Sequence, residues 1–247
     1  MLAEKKSIIR QTLRQIASLR SAYFFFYAVR QRIGWTRQSV AAEMVQAISA
    51  REDPWCYTTN PEEMERFRSA LGMLQAVKAG GHFENAFEVG CSEGVFTNML
   101  AAHCKDLLAV DISQAALDRA AQRCEGPGVR FELWDLFHSP APSCLDLVVV
   151  MDVLELYFRP ADVRYGRDKL VSSLRPGGYL LLGNSRQNPV FETAWWAKWM
   201  VRGGRRIAEC FVEHPRLKLL TLEIEGIYVN ALFQVTPEIA AAGQLED

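Results

Sequence analysis

The six cysteines of this 247-residue chain form no C-x-x-C pair and keep no metal-ligand spacing. That excludes a zinc ribbon or a thioredoxin-type redox site, and Cys56, Cys91, Cys104, Cys124, Cys144 and Cys210 read as reduced thiols. Neither sign of charge is in excess: the formal net charge is -1, which argues against a general nucleic-acid binder. No apolar run reaches the length that spans a bilayer. The N-terminus is interrupted by Arg10, Arg14 and Arg20, so it lacks the apolar centre of a signal peptide. The expected compartment is therefore the cytoplasm.

What is present is organised around Ala86-Phe-Glu-Val-Gly-Cys-Ser-Glu-Gly-Val-Phe-Thr97. It reads as a buried strand, a tight loop from Gly90 to Gly94, and the first turn of a helix. Glycine lets main chain approach a ligand closely, and the helix start points free N–H groups back at the loop. The next strand, Leu107-Leu-Ala-Val-Asp111, ends in an acid about 20 residues after the first glycine, where a ribose diol is taken in this topology. No third glycine follows; Phe96 and Thr97 stand where tight strand–helix packing wants something small. The missing glycine speaks against a nicotinamide-dependent oxidoreductase.

The acid at Glu88, two residues before Gly90, gives Glu-x-Gly, and here the chain resembles class I S-adenosylmethionine-dependent methyltransferases. More closely it resembles the nodulation protein S family, which N-methylates a sugar amine on chitooligosaccharide signals. The resemblance rests on Asp53-Pro-Trp55, Glu65-Arg66, the loop itself with Cys91 and Ser92, His103-Cys-Lys105, Val148-Val-Val-Met-Asp-Val-Leu154 and Pro176-Gly-Gly178. It implies S-adenosylmethionine as cofactor, with S-adenosylhomocysteine as product. Trp55, Arg66, Glu88, Gly90, Cys91, Ser92, Gly94, Phe96, Asp111, Ile112, Asp135, Leu136 and Met151 are the residues expected around it. Family members tend to carry aromatics just after the fourth strand; this chain has Glu155-Leu156, with Tyr157 displaced.

The rest of the chain alternates strand and helix, which argues an α/β fold: a doubly wound, mostly parallel seven-stranded, Rossmann-like sheet with an antiparallel last strand. Residues 1–52 are expected to be a helical appendage, with Lys and Arg outnumbering Asp and Glu eight to two over the first 50. They suit a lid, a homodimer contact or a basic membrane-surface helix. The methyltransferase-like domain then covers 53–240. Asn60, Pro61 and Glu63 read as a capping box opening a helix whose stripe is Met64, Phe67, Leu71 and Leu74 and which ends at Gly80-Gly81. Ser113 caps a helix with Ala116, Leu117, Ala120 and Ala121 on one face. An insertion at 190–213, with Trp195, Trp196 and Trp199, is where an acceptor lid would sit, or packs on the sheet, with Gly203-Gly204 breaking a helix.

Ligands in such sheets bind beyond the carboxyl ends of the strands. Glu88 is assigned to an ammonium group, Asp111 to ribose hydroxyls, Asp135 and Leu136 to the adenine edge, and Ile112 to the ring face. Asp111 could instead be a cap carboxylate before Ser113, and Asp135 an ordinary loop carboxylate. Asp152 and Glu155 are the carboxylates best placed to orient or deprotonate an amine or hydroxyl acceptor on a sugar or other small molecule. A solvated, capping pair is the plainer alternative. No nucleic-acid partner is expected, since the fourth strand lacks an Asn-Pro-Pro-aromatic ending. A catalytically idle, methyltransferase-like binding or assembly protein, membrane-associated through its N-terminus, is the remaining reading.

Overall fold

The computed structural model describes Val45 and residues 51–124, 128–157, 159–185, 203–226 and 228–237. The element order is α1 (Pro61–Lys78), β1 (Phe83–Val89), α2 (Val95–Ala101), β2 (Cys104–Asp111), α3 (Gln114–Arg123), β3 (Val129–Leu133) and β4 (Leu145–Met151). A 3₁₀ turn (Leu154–Leu156), α4 (Pro160–Ser173), β5 (Leu174–Ser185), α5 (Gly204–Val212), β6 (Leu217–Glu225) and β7 (Tyr228–Val235) complete it. The strands form one sheet in the order β3-β2-β1-β4-β5-β7-β6, with β7 antiparallel to both its neighbours. The reversed strand therefore lies one place in from the edge, not at it. Strand order reverses between β1 and β4, which pair in parallel from Ala86–Leu147 to Val89–Val150.

β4 reads Leu-Asp-Leu-Val-Val-Val-Met and is buried throughout, as a central parallel strand should be. Its one charge, Asp146, accepts the main-chain N–H groups of Glu84 (2.9 Å) and Asn85 (2.8 Å), so the buried acid satisfies the incoming end of β1. Helices α1, α2 and α3 cover one face, where Phe67, Leu74, Phe96 and Leu100 pack on Leu107, Leu147 and Leu181. Helices α4 and α5 cover the other, bringing Val163, Leu170, Ile207 and Phe211 onto Val148, Leu180 and Phe233.

Several local expectations change in detail. Asn60 caps α1 by accepting from Glu62 N–H, but Glu63 does not complete a capping box, because its carboxylate turns inward to Arg66 and Tyr228. The helix stops one residue before the glycines, at Ala79 in the left-handed region. In α3, Ala116, Leu117 and Ala120 are buried, whereas Ala121 faces out. Gly203 is the N-cap of α5 and Gly204 its first residue, and that helix buries Ile207, Ala208, Cys210 and Phe211. The three tryptophans of the insertion, and the N-terminal appendage apart from Val45, Arg51 and Glu52, lie outside the described residues. All six cysteines are free. Among the described residues no helix is long and apolar enough to cross a membrane, and no cluster of His, Cys, Asp and Glu could hold a metal ion.

Candidate active site

The loop after β1 is fixed by main chain first. Gly90 and Cys91 both donate to the carbonyl of Val110 (2.8 and 3.0 Å), which ties the loop to the end of β2. Gly90, Ser92 and Gly94 all take positive φ (78°, 48° and 74°), so the path alternates through conformations glycine tolerates best. A Cβ on Gly90 would collide with Val153 beyond β4, and one on Gly94 would press on Ala120 and the Cys124 thiol of α3. The second glycine thus does the close-packing work for which a third was sought in the sequence.

Asp111 completes the loop. Its Oδ2 accepts Ser92 N–H and its Oδ1 accepts Ser113 N–H, both at 2.9 Å. The carboxylate is both the turn acceptor before α3 and an occupant of the crevice wall. Burial raises its pKa, and the main-chain donors pull it back. Glu88 is more isolated. It is 3 % exposed, and its Oε2 has no hydrogen-bond partner. Burial pushes it up to about 7, with Thr97 lowering and Asp111 raising it. Burial, and then Glu88 and Asp111, likewise raise the Cys91 thiol well above its usual value, so Cys91 is a protonated filler and not a nucleophile.

A cavity opens against this loop, lined by Val45, Val89, Gly90, Val110, Asp111, Ile112, Trp134, Leu136, Val153, Leu156 and Tyr157. Gly90, Asp111, Ile112 and Leu136 were expected there; Trp134, Val153 and Tyr157 were not. Trp134 follows β3 directly. Its signal was an aromatic at a strand's carboxyl end, and it stands edge-on to Phe87 with its Nε1–H bonded to the Pro140 carbonyl (2.8 Å). Asp135 turns onto its own loop instead. Its Oδ1 accepts the N–H groups of Phe137 (2.7 Å) and His138 (3.1 Å) and meets His138 Nδ1 at 3.0 Å. Phe96 packs against Phe67 in the core (centroids 5.1 Å apart), away from the cavity lining. Met151 is buried and lies over Gly183, where its thioether fills the space of a missing side chain.

Arg66 is held farther along, between α1 and the end of β4. Its Nε and Nη2 donate to Glu63 Oε2 (3.1 and 2.7 Å), Nη2 also reaches Asp152 Oδ2 (2.5 Å), and Phe67 and Tyr228 each lie 4.8 Å from its guanidinium carbon. Tyr228 donates to the other Glu63 oxygen (2.6 Å), and Tyr57 donates to Asp152 Oδ2 (3.4 Å). Burial, then the Asp152 charge, raise Tyr57 well above the ordinary phenol range, so it remains a donor. Arg66 Nη1 and Asp152 Oδ1 are buried and make no hydrogen bond. Two carboxylates around one guanidinium leave the cluster one negative charge. Glu155 follows, half-buried, in the 3₁₀ turn.

Trp55 sits half-buried in a segment latched to the glycine loop by a residue no motif announced. Glu93, 4 % exposed, accepts Asp53 N–H with both oxygens (3.0 and 3.1 Å) and pairs with Arg119 (2.7 Å). Asp53 in turn accepts Tyr57 N–H (2.7 Å). The loop therefore carries the segment that brings Tyr57 to Asp152.

A family model described as "Nodulation protein S (NodS)" matches residues 37–201, more than half of the sequence. The chain belongs to the nodulation protein S family. The Nodulation protein S of Rhizobium tropici is 36% identical over 138 residues, 56% of this chain and 57% of the relative. That of Sinorhizobium fredii is 35% identical over 137 residues, 55% of this chain and 62% of the relative. The matched stretch thus spans less than two thirds of either relative's own length. The solved N-methyltransferase NodS of Bradyrhizobium japonicum WM9, in complex with S-adenosyl-L-homocysteine, superposes with a TM-score of 0.67 at 27% identity, covering 79% of this chain and 98% of that one. Membership places the fold among Rossmann-like, S-adenosylmethionine-dependent methyltransferases. The residues present fit that cofactor: a buried carboxylate at Glu88 with one unpartnered oxygen, bare main chain at Gly90, an acid at Asp111 and an apolar slot between Ile112 and Trp134.

Proposed function

We propose that this chain transfers a methyl group from S-adenosylmethionine to an amine or hydroxyl of a sugar or other small molecule, by in-line displacement in the cytoplasm. The observation that carries this reading is the crevice at the β1–β4 reversal, where Asp111 and the bare main chain of Gly90 stand beside an apolar slot. When bound, the cofactor supplies an electrophilic sulfonium methyl, which leaves its bonding pair on sulfur as the acceptor's lone pair takes the carbon.

The chain's own residues align and shield. Glu88 offers its unpartnered oxygen to the cofactor's ammonium group. Each Asp111 oxygen holds one main-chain N–H and keeps a lone pair for a ribose hydroxyl. Ile112, Leu136 and Trp134 sandwich the base, while Asp135 acts by shaping the loop that carries Leu136. Arg66 and Tyr57 hold Asp152 through one oxygen, so its other oxygen, with Glu155, orients the acceptor and receives the proton an amine or hydroxyl sheds. Trp55 and Tyr57 close the crevice from the segment latched by Glu93.

Calorimetric titration of S-adenosylhomocysteine against NAD, followed by transfer of labelled methyl to an amino-sugar and small-molecule panel, tests the reading. Micromolar binding of S-adenosylhomocysteine and methylation of a panel member are expected. Binding of NAD alone would overturn the cofactor; tight cofactor binding with no transfer to any panel member would overturn the acceptor class.

A further inference from the structure

Lys169 lies on α4, three residues beyond Gly166. Its ammonium lies under the 134–139 loop. Nζ donates to the carbonyls of Leu136 (2.7 Å) and Ser139 (2.6 Å), and it stands 5.0 Å from the Trp134 ring centroid and 5.9 Å from that of Tyr165. Burial lowers its pKa, which the nearby Asp135 charge partly offsets. Two of the groups it touches, Trp134 and Leu136, are walls of the cavity.

The loop has no regular secondary structure to hold it. Its own bonds close it locally: Asp135 caps Phe137 and His138, and Ser139 Oγ accepts Asp135 N–H (3.0 Å). Trp134 N–H ties the loop's start to the Asp111 carbonyl at the end of β2 (3.0 Å). Lys169 holds the loop from below, through charge-assisted bonds that a neutral side chain cannot replace. Gly166 does so one turn earlier, since a Cβ there would press on Leu136 and on Leu154.

We infer that Lys169 is a positioning residue for cofactor selection, setting the height and tilt of the Trp134–Leu136 wall against which the purine rests. It touches neither cofactor nor acceptor, and its effect travels through two carbonyls and one indole. This rests on the reading of the cavity as the adenosyl site, and it extends that reading to the residue that makes the site discriminate among bases.

The test compares the parent, Lys169→Met and Lys78→Met, the last removing a lysine that stands 5.0 Å from the Phe83 ring at the far end of the sheet. For each, the Kd of S-adenosylhomocysteine and of S-inosylhomocysteine is measured by calorimetry, and Tm alongside. Lys169→Met is expected to weaken S-adenosylhomocysteine about tenfold, the scale of one lost charge-assisted bond, and to shrink the preference for adenosyl over inosyl several-fold. Lys78→Met should leave both unchanged. Should Lys169→Met fail to fold, Lys169→Gln, which keeps donors for the carbonyls, gives the same comparison and should fall between. A variant at position 169 that kept both constants within twofold of the parent, or lost both ligands equally, would overturn the inference. Failure of the parent itself to bind S-adenosylhomocysteine would remove the adenosyl reading first, and this one with it.

Discussion

Glu88 is the residue at which binding and stability pull in opposite directions. An ordinary carboxylate titrates near 4.3, whereas burial pushes this one up to about 7. A raised acid pKa means that the folded chain holds the proton more tightly than the unfolded chain. Stability is therefore lost as pH rises from the ordinary carboxylate range to about 7, and the full cost, on the order of 3 kcal/mol, persists above that. Glu88→Gln should melt at a higher temperature than the parent at pH 8 and close to it at pH 4. It should also bind S-adenosylhomocysteine at least tenfold more weakly, because the ammonium loses its counter-charge. In the parent a cation beside Glu88 stabilises the anion, so ligand binding near pH 6 should release a proton, seen as a binding enthalpy that changes with buffer. Identical stability gaps at pH 4 and pH 8 would show that folding does not shift this carboxyl's pKa.

At the scale of elements, α1 is attached to the rest of the sheet by a charge cluster as well as by its apolar stripe. Arg66 joins α1 to the end of β4 through Asp152, and Glu63 joins it to β7 through Tyr228. Removing only the cation strands two carboxylates in a poorly hydrated place, which typically costs about 3–5 kcal/mol. Arg66→Leu should therefore lower the urea midpoint sharply. Adding Glu63→Gln should recover part of the loss, because the second change removes a charge the first left unpaired. Purely additive losses in the double variant would mean the two side chains act independently.

The sequence showed the i, i+3 spacing of Glu63 and Arg66 on a helix, but spacing alone placed Glu63 at a capping position. What redirects it is Tyr228, which lies 165 residues away in sequence. Lys169 was hidden for the same reason, since its partners are carbonyls, which leave no trace in residue type. The glycine loop and the acid at Asp111 were legible because they answer to main-chain demands: positive φ, a strand end, and N–H groups needing acceptors. Trp134 fell between these cases, visible as an aromatic at a strand end but not as a cavity wall.

For the whole molecule the crevice opens where the two halves of one sheet join, just beyond the paired ends of β1 and β4, with Gly90 packed against Val153. β1 with β2 and β3 forms one side, and β4 with β5, β7 and β6 the other; the loop leaving β1 passes against Val153 leaving β4. A side chain at position 90 would meet Val153 while holding a φ of 78°, so it is penalised by both contact and backbone. Gly90→Ala should destabilise the chain by about 1–3 kcal/mol on the backbone ground alone. The larger consequence is for linkage. A ligand that binds only the folded chain stabilises it by about 2.7 kcal/mol at one hundred times its Kd, so saturating S-adenosylhomocysteine should raise the parent's Tm by several degrees. Gly90→Ala, with the two loops forced apart, should show its lower Tm and no rise at the same ligand concentration. A normal ligand-induced rise on the lowered baseline would mean that the halves can separate at this point without opening the site, and that the binding surface is carried by one half alone.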